Sequence, residues 1–150
     1  MVLIREAEEK DFDKLEKILL ENDMLNSPEI DGKEAMKRVK ELMGKYFLVA
    51  ELGEEVVGLI RGCYDGSRAL IHQMAVTRKQ QRRGVGKAML YELCSRFKQD
   101  KAPSVSVTSE QNSRDYYTKL GFFNLAISLM VAFDITKVMN KTYPTYPKDI

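Results

Sequence analysis

The chain has 150 residues, a size that suits one domain with a core of its own and is short for two. Its 24 Lys and Arg against 22 Asp and Glu leave a formal charge of +2, which excludes both an acidic disordered chain and a strongly basic nucleic-acid module. Two cysteines and one histidine are too few for a zinc cluster of Cys and His, no apolar run reaches membrane-spanning length, and Arg5 interrupts any signal-peptide core. The expected setting is the cytoplasm, with free thiols and no membrane partner.

Val2 to Arg5 predicts an opening strand. Phe12, Leu15, Ile18 and Leu19 recur at helical spacing after Asp11, the expected N-cap. Residues 22–31 read as a loop. Gly32 to Gly44 predicts a second helix, with Ala35, Met36, Val39, Leu42 and Met43 on one side. The period then changes: Tyr46–Ala50 and Glu55–Ile60 flank a turn at Gly53, Asp65-Gly66 makes a second turn, and Ala69–Val76 is a third antiparallel strand. Val85, Met89, Leu93 and Phe97 then follow at four-residue steps, as on one face of a helix. Val105 and Val107 mark a short strand, and Asn112 to Leu120 a short helix stopped by Gly121. Phe122 to Ile135 is apolar and β-rich enough for one strand or a pair. The expected fold is α/β (α+β), a mixed, mostly antiparallel twisted sheet of 6–7 strands flanked by about four helices, with residues 1–135 as the domain and 136–150 as a tail.

Residues 78–87, RKQQRRGVGK, lie between a strand and the clearest helix. The first N–H groups of a helix lack intrahelical partners, and the dipole adds partial positive charge there. Gly84 and Gly86 let an anion approach the backbone, and the arginines add charge-assisted hydrogen bonds. The pattern is a phosphate site, but not a P-loop, because Ala88 follows Lys87 where Ser or Thr would bind magnesium. It is not a dinucleotide fingerprint, because Met89 stands where the third Gly belongs. The competing reading is a solvated basic loop.

Gln81-Arg-Arg-Gly-Val-Gly86, after Met-Ala-Val76 and before Lys-Ala-Met-Leu, resembles the pyrophosphate loop of the GNAT superfamily of N-acetyltransferases: Gln or Arg, two residues, Gly, one residue, Gly or Ala. Tyr116-Tyr-Thr-Lys-Leu-Gly-Phe122 resembles that superfamily's late Tyr-x-x-x-Gly-Phe motif. The resemblance extends over nearly the whole chain and is weakest after Ile135. It implies acetyl-CoA as cosubstrate and an amine acceptor, which is a small molecule, a protein N-terminus or a lysine.

By the same resemblance, Met74, Ala75 and Val76 hold the pantetheine arm through their backbone. Gln81, Arg82, Arg83, Gly84, Val85, Gly86 and Lys87 receive the pyrophosphate, and Asn112 adds a hydrogen bond. Tyr117, four residues before Gly121, takes the place of the general acid, with Tyr116 as the neighbour to be distinguished from it. The base stays open among His72, Glu110 and a chain of waters, with Gln73 beside His72 on the same strand. Glu29 and Asp31 are available to attract a cationic amine, or to be solvated. Cys63 and Cys94 read as small hydrophobes, which favours direct transfer in a ternary complex. Two further readings compete: a nucleic-acid binder, against which stands the absence of aromatics from the basic stretch, and a non-catalytic acyl-CoA-binding or interaction module on the same fold. The tail has a possible role as a homodimer contact.

Overall fold

The computed structural model describes residues 1–109 and 113–139. Five strands form one sheet in the order β1(Val2–Glu6), β2(Phe47–Leu52), β3(Glu55–Tyr64), β4(Ala69–Val76) and β5(Val105–Val107). The first three pairings are antiparallel, and β5 runs parallel to β4. Parallel neighbours need a crossover, which α4(Val85–Gln99) supplies.

Helices α1(Phe12–Glu21) and α3(Lys33–Met43) belong to one face of the sheet. Phe12, Leu15, Ile18 and Leu19 of α1 and Met36 of α3 are fully buried in one cluster with Phe47, Val49, Leu59 and Ala75 of the strands. Phe12 stacks on Phe47 at 6.0 Å between ring centroids. The other face takes α4, whose Val85, Met89, Leu93 and Phe97 are buried as their spacing predicts. A Cβ at Gly62 would collide with the Leu70 carbonyl of the neighbouring strand β4 and press on the Phe97 ring of this helix. Gly62 is therefore a packing residue.

Several expectations change in detail. The sheet has five strands, not 6–7. Residues 122–134 form no strand: the Ile127 N–H turns back to the Leu125 carbonyl at 2.8 Å, and Asp134 accepts the Thr136 N–H at 3.0 Å to open the short helix α6(Ile135–Met139). A strand needs a neighbour to satisfy its backbone, and none of the five strands pairs with this segment. The four expected helices are present, with α5 spanning Arg114–Lys119. Besides α6 there is one more short helix, α2(Pro28–Asp31), inside the expected loop; Ser27 Oγ caps it and Pro28 opens it. The chain divides into two compact units, 1–113 and 114 onward. All five strands lie in the first. No described helix is long and apolar enough to cross a membrane.

Asp11 precedes α1, but its carboxylate does not cap that helix. It accepts the Glu8 N–H at 2.8 Å and two bonds from the Arg5 guanidinium at 2.8 and 3.0 Å, while Arg5 Nε reaches Glu51 at 2.7 Å. Asp11 is only 4% exposed, so β1, β2 and the start of α1 are joined through one buried carboxylate. Burial pushes the Asp11 carboxyl up, but the bonds from Arg5 and Glu8 outweigh it and hold the group below its ordinary 3.8. A depressed carboxyl contributes stability above its unfolded value and loses it as the pH falls further. Asp11→Ala is expected to cost about 3 kcal/mol at pH 7, because it takes two charge-assisted bonds from a part-buried guanidinium and leaves it Glu51 as its close carboxylate. In urea unfolding, the gap between wild type and variant should narrow as the pH falls below the ordinary carboxyl value.

Candidate active site

The site is built where β4 ends and α4 begins. Gly84 is the N-cap of α4 and sits at φ +84°, a left-handed conformation that costs glycine nothing. The first backbone bond of the helix runs from the Ala88 N–H to the Gly84 carbonyl, and no side chain caps the helix. The N–H groups of Val85, Gly86 and Lys87 therefore have no acceptor within the helix. Val85 is buried and anchors the turn, while Gln81, Arg82, Arg83 and Gly84 are exposed. Free donors, the dipole and two arginines converge on one surface, as an anion requires.

Strand β4 pairs with β3 along its length but with β5 only at Ala69, Leu70 and Ile71. The Thr108 N–H to the Ile71 carbonyl, at 3.2 Å, adds one bond at the point where the strands part. The Thr77 N–H turns inward to the Val57 carbonyl at 2.8 Å, so the preceding Val76 carbonyl faces away from β3. By the alternation of a strand, the backbone groups of Met74 share that open edge, whereas those of Ala75 face β3.

One side-chain cluster ties the open edge to the loop. Gln81 Nε2 donates to the Val76 carbonyl at 3.0 Å and to Asn22 Oδ1 at 2.9 Å. Asn22 Nδ2 in turn donates to Val76 at 3.0 Å and to the Ile18 carbonyl at 2.8 Å. Glu21 accepts the Arg78 N–H at 3.2 Å. The Thr77 hydroxyl, and then this bond, hold the Glu21 carboxyl below its ordinary range. The C-terminal end of α1 thus positions the loop. Asn22 was not singled out in the sequence; an amide directly after a helix was its only mark. The Gln81 side chain is a clamp and is not free for a ligand.

A second polar group lies where β4 leaves β5, on β3, β4 and α2. Asp31 is 4% exposed and turned inward, so it is not a solvated loop carboxylate. Its Oδ1 accepts from Gln73 Nε2 at 3.2 Å and from Arg61 Nη2 at 3.4 Å, and its Oδ2 accepts the Asn26 N–H at 3.0 Å. This carboxylate is already committed to holding the α1–α3 connection on the sheet. Glu29 is exposed. Arg61 also reaches the Ile30 carbonyl, but its Nε is buried with no partner among the described residues. Burial lowers the Arg61 pKa, and Asp31 only partly opposes this. Beside Arg61, His72 Nε2 lies 3.4 Å from Cys63 Sγ.

In the second unit, Tyr117 is buried and edge-on to both Tyr116 and Phe122, at 5.2 and 5.6 Å between centroids. Burial, and then Tyr116, push its hydroxyl up to about 12. Tyr116 is the exposed neighbour, at 39%. The adjacent tyrosines are thus distinguished by burial. Glu110 and Asn112 lie outside the described residues. Cys63 and Cys94 are unpaired thiols whose pKa burial raises, which leaves both poor nucleophiles at neutral pH.

Comparison with known proteins places this geometry. The structure is similar to that of Ard1 from Thermoplasma volcanium, at 25% identity and a TM-score of 0.74 over 83% of this chain and 84% of that one. It is similar to a transcriptional regulator from Bacillus halodurans C-125, at 25% identity and a TM-score of 0.71 over 89% and 100%. In fold it also matches glucosamine-6-phosphate N-acetyltransferase from Arabidopsis thaliana, at 17% identity and a TM-score of 0.69 over 89% and 99%. The acetyltransferase (GNAT) domain family matches residues 22–131. The chain belongs to the GNAT family of acetyltransferases and is an acyltransferase.

Proposed function

We propose that the chain moves an acetyl group from acetyl-CoA to a primary amine by direct transfer in a ternary complex. The observation that carries this reading is the clamp at Val76, which sets the open edge of β4 beside the free N–H groups of α4. The residues fit the cosubstrate on two chemistries. Pantetheine is an amide chain, and the backbone of Met74 with the N–H of Val76, whose carbonyl is held by Gln81 and Asn22, offers a strand edge of the kind that amides pair with. Its pyrophosphate is a compact anion, matched by the N–H groups of Gly84 to Lys87 and by the Arg82 and Arg83 side chains. Asn112 is proposed as a further cofactor ligand. Residues 1–135 form the proposed catalytic domain, with 136–150 as its tail.

Bound acetyl-CoA supplies an activated thioester carbonyl. The chain supplies orientation and proton management. Tyr117 is proposed as the acid: with its pKa raised to about 12 the phenol keeps its proton at neutral pH, so Oη can donate to a developing thiolate. The acceptor is a small amine, a protein N-terminus or a lysine. A non-catalytic acyl-CoA binder on the same fold would bind the ligand and release no thiol.

Acetyl-CoA at a hundred times its dissociation constant is expected to stabilise the protein by about 2.7 kcal/mol, a melting shift of several degrees. Gly84→Glu should abolish that shift, because it puts a carboxylate and a strained φ at the anion site, while the variant still melts cooperatively. No shift in wild type would overturn the cosubstrate. With acetyl-CoA and a panel of amines, polyamines and peptides, coenzyme A thiol release should identify acceptors. On the best of them Tyr117→Phe should lower kcat about 100-fold or more and keep the melting shift. An unchanged kcat would move the acid elsewhere.

A further inference from the structure

Resting on the acetyl-CoA reading above, we infer that His72 is the general base that takes the proton from the acceptor ammonium. Three observations converge on it.

The first is register. Arg61 pairs with Gln73 and Gly62 with Ile71, so His72 is the extra residue of a β-bulge. Bulges re-aim a side chain and collect beside active sites. This bulge follows directly on Ile71, the last residue of β4 paired with β5. His72 is thus the first residue of the open edge.

The second is reach. The pantetheine arm, from phosphate oxygen to sulfur, is about twelve bonds long, as many as about four residues of extended chain. An arm that starts at the Gln81–Val76 clamp and follows β4 runs from position 76 to position 72, about 13 Å at the rise of a strand. Its sulfur would then lie beside His72. The amine must attack the carbonyl attached to that sulfur, so a base is needed at that end of the edge.

The third is environment. Among the described residues, the titratable and charged groups around the imidazole are Arg61 and Cys63 on β3, with Asp31 of α2 paired to Arg61. Asp65, in the turn after β3, acts on Cys63. Strand β5 brings only Val105, Ser106 and Val107. Asp31 is shared with Gln73 and Asn26, so among the described residues no free carboxylate is placed to stabilise a resting imidazolium. His72 is exposed, yet partial desolvation of the ring, and then Arg61, lower its pKa from the ordinary 6.5, which favours the neutral imidazole that a base requires. The proposed base is the tautomer in which Nε2–H donates to Cys63 Sγ, 3.4 Å away, so that the lone pair for the acceptor is on Nδ1.

The proton balance closes. His72 Nδ1 takes one proton from R–NH3+, leaving R–NH2 and an imidazolium. The amine lone pair forms the new N–C bond, and the C–S bond breaks with its electron pair on sulfur. The thiolate receives one proton from the acid, and the second amine proton replaces it there. The imidazolium returns its proton to water. The net change is one N-acetyl amine, one thiol and one released proton. Arg61 acts through His72 and is a positioning residue.

His72 is the chain's only histidine, so proton NMR of the untagged protein reads it directly. Its imidazole is expected to titrate below the ordinary 6.5, to move upward in Arg61→Gln, and to shift when acetyl-CoA saturates the protein. In kinetics with the best amine of the panel, the acidic limb of kcat/KM should fall at the pKa seen by NMR and move with it in Arg61→Gln. His72→Gln should lose that limb and about 100-fold or more in kcat, with its melting shift on acetyl-CoA intact. An imidazole unmoved by saturating acetyl-CoA, or a His72→Gln enzyme with unchanged kcat and limb, would overturn the assignment. A wild-type protein with no melting shift would instead overturn the acetyl-CoA reading itself.

Discussion

Among the described strand pairings, β4 is paired on both sides at Ala69–Ile71 and on one side only from His72 to Val76. A half-paired strand inside a sheet is unusual, because every unmet backbone group costs free energy unless water or a ligand meets it. Here the cost is confined to Met74 and Val76, the residues whose groups face outward. Val76 is met by the Asn22 and Gln81 amides. That leaves a short edge, closed at one end by a clamp and at the other by a bulge. The clamp fixes where an extended ligand begins, and the bulge fixes where its far end lies. Fold, cosubstrate and proposed base therefore depend on the place where β5 leaves β4.

The polar groups holding this arrangement are nearly all long-range. Asn22 meets Val76 across 54 positions, Gln73 meets Asp31 across 42, and Glu21 meets Arg78 across 57. Each joins the α1–α3 connection to the β3–β4 end of the sheet. Asp31 shows how magnitudes assign its role. A buried carboxylate is costly unless fully hydrogen-bonded, and three donors already occupy this one. Drawing an acceptor amine to it would require breaking one of them, so it serves structure. The same accounting leaves Arg61 only partly compensated: Nη2 reaches Asp31 at 3.4 Å, while its buried Nε finds no partner among the described residues.

What the sequence made legible follows the range of each interaction. The amphipathic periods of α1, α3 and α4 are local, and the structure agrees within a residue or two. The Asp65-Gly66 turn is also local: the Asp65 carboxylate accepts the Ser67 and Arg68 N–H groups at 2.8 Å. The basic Gly-x-Gly loop was readable because a helix start is chemically self-contained. Residues 122–135 were not, because an apolar alternation records a wish to bury one face, and strand formation depends on a neighbour that local pattern does not specify. Asp11 shows the same limit. Its place before α1 predicted a cap, but Arg5 and Glu8 offered stronger partners. Arg61 and the inward turn of Asp31 had no local mark at all, and Asn22 had only its place directly after α1.

Cys63 and His72 together look like a nucleophile and its base. The surroundings decide against that pairing. A catalytic thiolate needs its charge stabilised by nearby cations, a helix N-terminus or partial exposure. Arg61 is close enough to depress the His72 pKa, yet Cys63 is still pushed up, by burial first and by Asp65 second. A thiol held neutral beside a neutral imidazole is a weak hydrogen-bonding neighbour and not an acyl acceptor. Cys94 is likewise raised by burial on α4. That neither thiol is activated supports the proposed direct transfer from thioester to amine over a cysteine acyl-enzyme. The pair then has a simpler role: Cys63 orients the ring, and the other ring nitrogen is left for the acceptor.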